Sequence, residues 1–308
     1  MNISNVNRNL IFTKKINIFN TDIKEISIFN DKKVLVWCNE VIKIYNDNFN
    51  LIFCKIENDI NYVKIIDNNN IIYLCKRNKL ITINLKEKKI KILFSFKEKI
   101  YNLIYLNNYT LITNNNKSMI KVWKLINNSI YQITTIFKLP SYEVSITPKL
   151  DLINDNLLMS FNPLNLTIYF CNLKIYKFDH YLNLVNEDLL YFCKYKENII
   201  FLGCGDLHYN ICTEIKKYNV KEKKILDTKN FNYFIKDIKY IYKKDVILIT
   251  GGDIDFLYNV YMYDENFNLL HIIDNERVYG FSLFEKYENE SNILAYNEKG
   301  EIYFYSIN

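Results

Sequence analysis

The chain has 308 residues, of which 49% are apolar and 24% are charged, and its formal net charge is +6. This composition is typical of a globular protein and excludes an intrinsically disordered chain. The sequence contains neither a run of about 18 apolar residues nor a basic start followed by a short apolar stretch, so it predicts no membrane span and no signal peptide. We therefore expect a cytoplasmic protein.

Seven short apolar segments repeat along the whole chain, and each reads as an alternating β-strand. Their last residues are 39, 39, 47, 48, 45 and 42 positions apart. Strands that recur at a period of about 40–45 residues are typical of the blades of a β-propeller. The segments span 41–45, 80–84, 119–123, 166–170, 214–218, 259–263 and 301–305.

Each segment is predicted to be the third of four strands in one blade. Blade 4 is predicted to begin with a strand at 142–146, and separate strands at 224–227 and 235–242 end blade 5 and begin blade 6. The seven predicted blades span 24–56, 62–96, 100–137, 142–178, 189–227, 235–273 and 279–307.

The last blade is one strand short, and the N-terminal segment 8–19 carries a spare apolar pattern. We expect this segment to pair with the last strand, which would complete blade 7 and close the ring. Ring closure removes exposed sheet edges, which otherwise invite aggregation. The fold class is therefore predicted to be all-β, with one seven-bladed β-propeller over residues 1–308.

We expect the cysteines and histidines to be structural residues. The seven cysteines form no Cys-x-x-Cys pair, and most lie in apolar runs, so we expect buried, reduced thiols. His180, His208 and His271 fall in three different predicted blades. A metal site needs ligands that converge, so the sequence predicts no metal, no cofactor and no catalytic residue.

The charges are distributed unevenly. Residues 1–150 contain 23 Lys and Arg and 11 Asp and Glu, a net charge of +12, whereas residues 151–308 contain 17 and 23, a net charge of −6. A one-sided positive field favours polyanionic partners. The candidate partner-binding residues lie in three kinds of loop that share one face of a propeller, and they are Lys76, Arg77, Lys79, Lys97, Lys99 and Lys117.

The repeat resembles the WD-repeat family. The best match is 111–123, which has the length of the family motif and ends in the apolar, basic, apolar and Trp pattern of Ile120 to Trp123. The match departs from the motif in that Lys124 follows Trp123, so that no Trp-Asp dipeptide forms. The resemblance implies a scaffold that binds partners, without enzymatic activity and without a small-molecule substrate.

In size and layout the chain is also similar to the ribosome-associated receptor for activated C kinase. That family contacts the small ribosomal subunit partly through a basic turn in blade 1, whereas the equivalent turn here, 38–40, is not basic. The resemblance implies a ribosome-associated, RNA-binding scaffold, with the rRNA contact moved to the basic N-terminal half.

Three functions follow as alternatives. The first is a non-enzymatic scaffold that docks on a ribonucleoprotein or multi-protein assembly, with the small ribosomal subunit as the specific guess. The second is a coat, nuclear-pore, checkpoint or RNA-processing adaptor that binds a protein peptide. The third is a propeller hydrolase or lactonase, which would need carboxylates and histidines lining a channel. For the lysines themselves, charge that only solvates the surface is the alternative to a docking patch.

Overall fold

The structure is a computed structural model that describes residues 10–75, 78–106, 110–115, 119–126, 129–138, 149–162, 166–184, 188–196, 198–206, 211–252, 258–273, 280–287, 290–297 and 299–307. In this part of the chain the regular structure consists of β-strands and one short 3₁₀ turn, Tyr242–Lys244. No helix among these residues is long and apolar enough to span a bilayer. The prediction of an all-β fold is confirmed.

In chain order the strands are β1 (Leu10–Asn17), β2 (Glu25–Ile28), β3 (Val34–Trp37), β4 (Val41–Tyr45), β5 (Leu51–Ile56), β6 (Tyr62–Ile65), β7 (Asn70–Cys75), β8 (Lys79–Asn84), β9 (Lys89–Ser95), β10 (Ile100–Leu106), β11 (Thr110–Asn115), β12 (Met119–Ile126), β13 (Ser129–Lys138), β14 (Lys149–Asn154), β15 (Leu157–Asn162), β16 (Thr167–Asn172), β17 (Lys177–Asn183), β18 (Asp188–Lys196), β19 (Ile199–Asp206), β20 (Ile211–Asn219), β21 (Lys224–Ile241), β22 (Val246–Gly252), β23 (Tyr258–Tyr263), β24 (Leu269–Ile273), β25 (Gly280–Tyr287), β26 (Glu290–Tyr296) and β27 (Glu301–Ile307).

The chain divides into two compact units. The first unit comprises Met1–Cys38, Ile42–Cys54 and Leu190–Asn308, and the second comprises Asn39–Val41 and Lys55–Leu189. In the second unit the sheets are four-stranded, in the orders β6-β7-β8-β9, β10-β11-β12-β13 and β14-β15-β16-β17. The first unit contains most of the sheet β2-β3-β4-β5, the seven-stranded sheet β18 to β24, and the sheet β1-β27-β26-β25.

Burial changes in a regular way from the second to the fourth strand of a sheet. The second strands β3 and β7 are almost wholly buried, and their sequences are continuous apolar runs, as expected for strands covered on both faces. The fourth strands β5, β9 and β17 are mostly exposed. Each sheet therefore has a buried side and a solvent-exposed outer edge.

The core lies between successive sheets. In the second unit, one cluster joins β7 and β8 to β10 and β11 through residues such as Ile72, Leu80 and Leu103. In the first unit, Val246 and Leu248 pack with Ile293 and Tyr305 of the last sheet. Fully burying one side chain of this size stabilises the fold by roughly 1.5–3 kcal/mol, so these clusters are the main stabilising contribution.

The N-terminal strand pairs with the last strand of the chain. β1 runs antiparallel to β27, from Leu10 opposite Ile307 to Asn17 opposite Glu301. Beyond β1, the amides of Ile18 and Phe19 both donate hydrogen bonds to the carbonyl of Gly300, at 2.9 and 3.2 Å. The predicted pairing is confirmed, and the last sheet has four strands.

Gly300 is required at this junction. Its φ of +77° lies in the left-handed region, and a Cβ atom placed there would lie 2.2 Å from the carbonyl oxygen of Phe19. Any larger residue would therefore both strain its own backbone and displace the N-terminal segment.

Glu301 fastens the same junction electrostatically. Its carboxylate lies 2.7 Å from Lys15 Nζ and accepts hydrogen bonds from Tyr303 Oη and Asn297 Nδ2, both at 2.7 Å. Burial alone would raise the pKa of Glu301, but the hydrogen bonds from Lys15, Tyr303 and Asn297 outweigh it and lower the pKa to about 2.

One strand prediction is wrong, and another falls outside the described residues. The first strand of the fourth sheet is β14, Lys149–Asn154, whereas the predicted strand 142–146 lies outside the described residues. The predicted strands 224–227 and 235–242 are parts of one strand, β21, because its N-terminal half pairs with β20 and its C-terminal half with β22. The stretch between them continues the pairing with β20, from Thr228 opposite Lys216 to Asn230 opposite Glu214.

Replacing Glu301 by Gln is expected to destabilise the fold in a pH-dependent way. Because the folded-state pKa is depressed, Glu301 contributes stability that is present above its ordinary pKa of 4.5 and is lost as the pH falls towards about 2. Urea unfolding at pH 7 should show a loss of about 1–3 kcal/mol, and the difference from the wild-type protein should shrink below pH 4.5.

Glu222→Gln is the matched control for this variant. Its carboxylate lies 2.7 Å from Lys224 Nζ, but both side chains are at least half exposed. The control should change the unfolding free energy by less than about 1 kcal/mol. A loss for Glu301→Gln that equals the control, or that does not vary with pH, would contradict the assigned role of Glu301.

Candidate functional site

Two of the predicted basic loops lie against each other in the second unit. Asn78, in the turn between β7 and β8, accepts a hydrogen bond from the amide of Phe96 through its backbone carbonyl, at 3.0 Å. Its side-chain oxygen accepts a second bond from the amide of Ile100, at 3.2 Å. These bonds bring the start of β8, with Lys79, beside the connection from β9 to β10, with Lys97 and Lys99.

Glu98 connects this surface to the third loop, the turn between β11 and β12. Its Oε2 atom lies 2.9 Å from Lys121 Nζ and also accepts a hydrogen bond from Asn115 Nδ2. The side-chain oxygen of Asn115 in turn accepts a bond from the amide of Met119, at 3.0 Å. Asn115 and Met119 flank the turn that carries Lys117, so the network fixes both ends of that turn.

An aromatic cluster supports β12 below the network. The Trp123 ring packs edge-on against Phe96, with 5.4 Å between ring centroids, and its Nε1 atom donates a hydrogen bond to Thr113 Oγ1 at 2.7 Å. Thr113 is fully buried, so this bond satisfies a hydroxyl group that has no access to water. The surface therefore rests on a rigid base.

The described lysines of the surface are open to solvent to different degrees. Lys97 and Lys99 are exposed, and Lys79 is half-buried at the start of β8. Lys99 Nζ lies 5.1 Å from the centroid of the Tyr101 ring, which places the charge over an aromatic face. We call the surface formed by Lys79, Lys97 and Lys99, together with Glu98, the lysine surface.

Three of the six predicted residues, Lys76, Arg77 and Lys117, lie outside the described residues. The sequence did not indicate the pairing of Glu98 with Lys121, because an acidic residue between two lysines appears only to lower the local net charge. In the structure Glu98 forms an ion pair with Lys121. Its negative charge is therefore largely balanced by Lys121 and only weakly reduces the positive potential of Lys97 and Lys99.

The net charge differs between the two units, although less than between the two halves of the sequence. The second unit contains 18 Lys and Arg and 12 Asp and Glu, which accounts for the whole net charge of +6. The first unit contains 22 of each and is neutral. The basic character therefore belongs to the unit that carries the lysine surface.

The other polar cluster of note, in the first unit, is internally neutralised. Lys196 Nζ lies 2.6 Å from Glu265 and 3.7 Å from Asp245, and Tyr195 Oη donates a hydrogen bond to Glu265 at 2.8 Å. Hydrogen bonding to Glu265 raises the pKa of Lys196, and the same bond lowers the pKa of Glu265. Lys217, whose Nζ atom lies 4.8 Å from the Tyr195 ring centroid, also acts on Glu265. With it the cluster has two lysines and two carboxylates, so it links three turns and presents no charge excess to a partner.

The described cysteines and histidines occupy structural positions. Every cysteine is a free thiol, and all except Cys54 are buried, as the sequence predicts. His180 is buried, stacks on Phe170 with 4.3 Å between ring centroids, and lies 2.5 Å from the Asp179 carboxylate through Nδ1. Among the described residues, no group of three His, Cys, Asp or Glu side chains is arranged to hold a metal ion.

No known family model matches this chain, and no curated protein matches it significantly. The repeat, the sheets and the lysine surface of this chain are therefore the features that bear on its function.

Replacing Glu98 by Gln is expected to loosen the lysine surface. The change removes the charge that holds Lys121 and Asn115, and hydrogen bonds to a charged group contribute about 1.5–3 kcal/mol each. Urea unfolding should show a loss of about 1–3 kcal/mol. Glu87→Gln, which removes a largely exposed pair with Lys89, is the control and should cost less than about 1 kcal/mol. An equal effect of the two changes would contradict the anchoring role of Glu98.

Proposed function

We propose that the sheets are the blades of one seven-bladed, WD-repeat-like β-propeller whose ring is closed by β1. The seven-stranded sheet then represents blades 5 and 6, fused through β21. Support comes from the repeat near 40–45 residues, from the pairing of β1 with β27, and from the packing of successive sheets within each unit. In the second unit, β10 also lies beside both β6 and β14, as the inner strands of neighbouring blades would.

We propose that the chain is a non-enzymatic scaffold that docks, in the cytoplasm, on a ribonucleoprotein or multi-protein assembly. The small ribosomal subunit is the specific partner that we propose, with rRNA contacted through the basic unit. The observation that carries this proposal is the lysine surface, where two loops bring Lys79 beside Lys97 and Lys99 and the intervening Glu98 is paired with Lys121.

The physical basis of the proposal is electrostatic. Phosphate oxygens are recognised by charge and position, so a phosphate-binding surface needs no sequence motif. Lys97 and Lys99 are exposed, and their unit carries the entire net charge of the protein. A rigid base under the lysines favours binding because less order has to be gained on docking.

The alternative is a coat, nuclear-pore, checkpoint or RNA-processing adaptor that binds a protein peptide. Salt and ribonuclease separate the two. Each phosphate contact releases a counterion, which makes polyanion binding more sensitive to salt. The affinity of a surface that makes five phosphate contacts would therefore fall about 100-fold when the salt concentration rises from 50 to 200 mM. An apolar peptide groove would show little change.

The test is sucrose-gradient sedimentation of a native extract at low and high salt, with and without ribonuclease, for the wild-type protein and Lys97→Glu/Lys99→Glu. We expect the wild-type protein to sediment with small ribosomal subunits at low salt only, and ribonuclease and the double variant to abolish this. Lys221→Glu/Lys229→Glu makes the same change in charge on exposed lysines of the first unit and should have little effect. Sedimentation in a complex that is insensitive to salt, ribonuclease and the double variant would contradict the proposal.

A further inference from the structure

We propose that β9 is a docking site for an extended peptide in which acidic and apolar residues alternate, and that this peptide adds as a strand to the open edge of the sheet. The site goes beyond the proposed function, because it uses neither Lys79, Lys97 nor Lys99 and because it takes a peptide rather than a phosphate backbone.

The edge at β9 is long and open. Among the described strands, β9 ends its sheet and is hydrogen-bonded only to β8. It has seven residues, so at about 3.3 Å per residue it offers roughly 23 Å of strand edge. An edge strand presents a row of backbone donors and acceptors, which an added strand can satisfy.

Two isoleucines extend the buried face of the sheet to this edge. Ile92 lies opposite Ile81, and Ile90 lies opposite Ile83. Ile81 and Ile83 are buried, whereas Ile90 and Ile92 are 48% and 53% exposed. Residues directly opposite each other on neighbouring strands share a face of the sheet. Apolar residues of an added strand, placed opposite Ile90 and Ile92, would therefore cover these two exposed side chains.

Lysines define the other half of the pattern. Lys89 and Lys91 alternate with the isoleucines along β9, and Lys86 and Lys88 lie in the preceding turn, all four of them exposed. The acid in this hairpin is Glu87, whose carboxylate lies 2.9 Å from Lys89 Nζ. An added strand with acidic residues opposite Lys89 and Lys91 would therefore form favourable cross-strand pairs.

The same charges argue against a second copy of β9 as the occupant, because lysine would then face lysine across the new strand pair. Two other edge strands among the described residues carry fewer or mixed charges: β5 has only Lys55, and β17 has both Lys177 and Asp179. β24 has exposed Leu269 and Ile272 but carries no charged residue. The alternation of one sign of charge with apolar residues is therefore the feature that specifies an acidic and apolar partner.

The experiment measures binding of a fluorescein-labelled synthetic peptide to the full chain by anisotropy. The peptide has the length of β9, alternates Asp with Val and carries a Gly-Ser tail. A control peptide has Ser in place of Val. We expect the alternating peptide to bind at least about tenfold more tightly than the control, because burial of apolar side chains contributes to binding. Amide hydrogen exchange should slow in β9 on binding.

Four variants separate the contributions. Ile90→Ser/Ile92→Ser and Lys89→Glu/Lys91→Glu should each weaken binding at least about tenfold, and since all four side chains are exposed, the fold should persist. Glu87→Gln should tighten binding about two- to threefold, because it releases Lys89 from an exposed ion pair. Lys97→Glu/Lys99→Glu should leave peptide binding within about twofold, so failure of the proposed function and failure of this site are distinguishable.

Single-stranded RNA and phosphatidylserine vesicles are tested on the same variants. Equal binding of the alternating and control peptides would overturn the proposal, and so would unchanged exchange in β9 on peptide binding. A third result would also overturn it: RNA or vesicles bind and lose this binding in Ile90→Ser/Ile92→Ser and in Lys89→Glu/Lys91→Glu, while the alternating peptide does not bind.

Discussion

The pairing of β1 with β27 is the contact on which the rest of the structure depends. Without β1, the buried strand β27 would end its sheet and expose its edge. The junction is fixed by Gly300, which alone permits the close approach of Phe19, and by Glu301, which binds Lys15. Lys43 adds a further restraint, since its Nζ atom donates a hydrogen bond to the carbonyl of Ile18 at 2.7 Å and lies 4.6 Å from the Phe19 ring centroid. Several independent contacts thus hold one short segment.

The decrease in burial from the second to the fourth strand determines where function can reside. The apolar side chains of the second strands are buried in the cores between sheets, so they are not available to bind a partner. The turns and the outer strands are exposed, and these are where the lysine surface and β9 lie. The two surfaces differ in chemistry: the first offers point charges on a rigid base, whereas the second offers an open backbone edge with alternating side chains. The scaffold that we propose would use these two surfaces for two kinds of partner.

The sequence predicted the repeat well because alternating apolar residues report directly on burial. The strand β4 has the predicted bounds, 41–45, and β5, β10 and β24 end or begin at the predicted blade limits of 56, 100 and 273. It failed where pairing rather than composition decides, as in β21, whose polar middle is held by β20. Gly205 lies within β19, where a Cβ would lie 2.0 Å from the carbonyl oxygen of Ile211, and composition does not report such a close approach. The lysines were visible in the sequence, but the engagement of Glu98 with Lys121 was not, since it depends on contacts between separate hairpins.

The most direct test of this account is the unfolding free energy of a chain that lacks residues 1–19, measured with and without a synthetic peptide of residues 8–19. The account predicts a loss of several kcal/mol, because strand pairing and buried side chains such as Ile18 and Phe19 are removed together. It also predicts that the added peptide restores much of this stability, in proportion to its concentration. An unchanged unfolding free energy, or no effect of the peptide on a destabilised chain, would contradict the account.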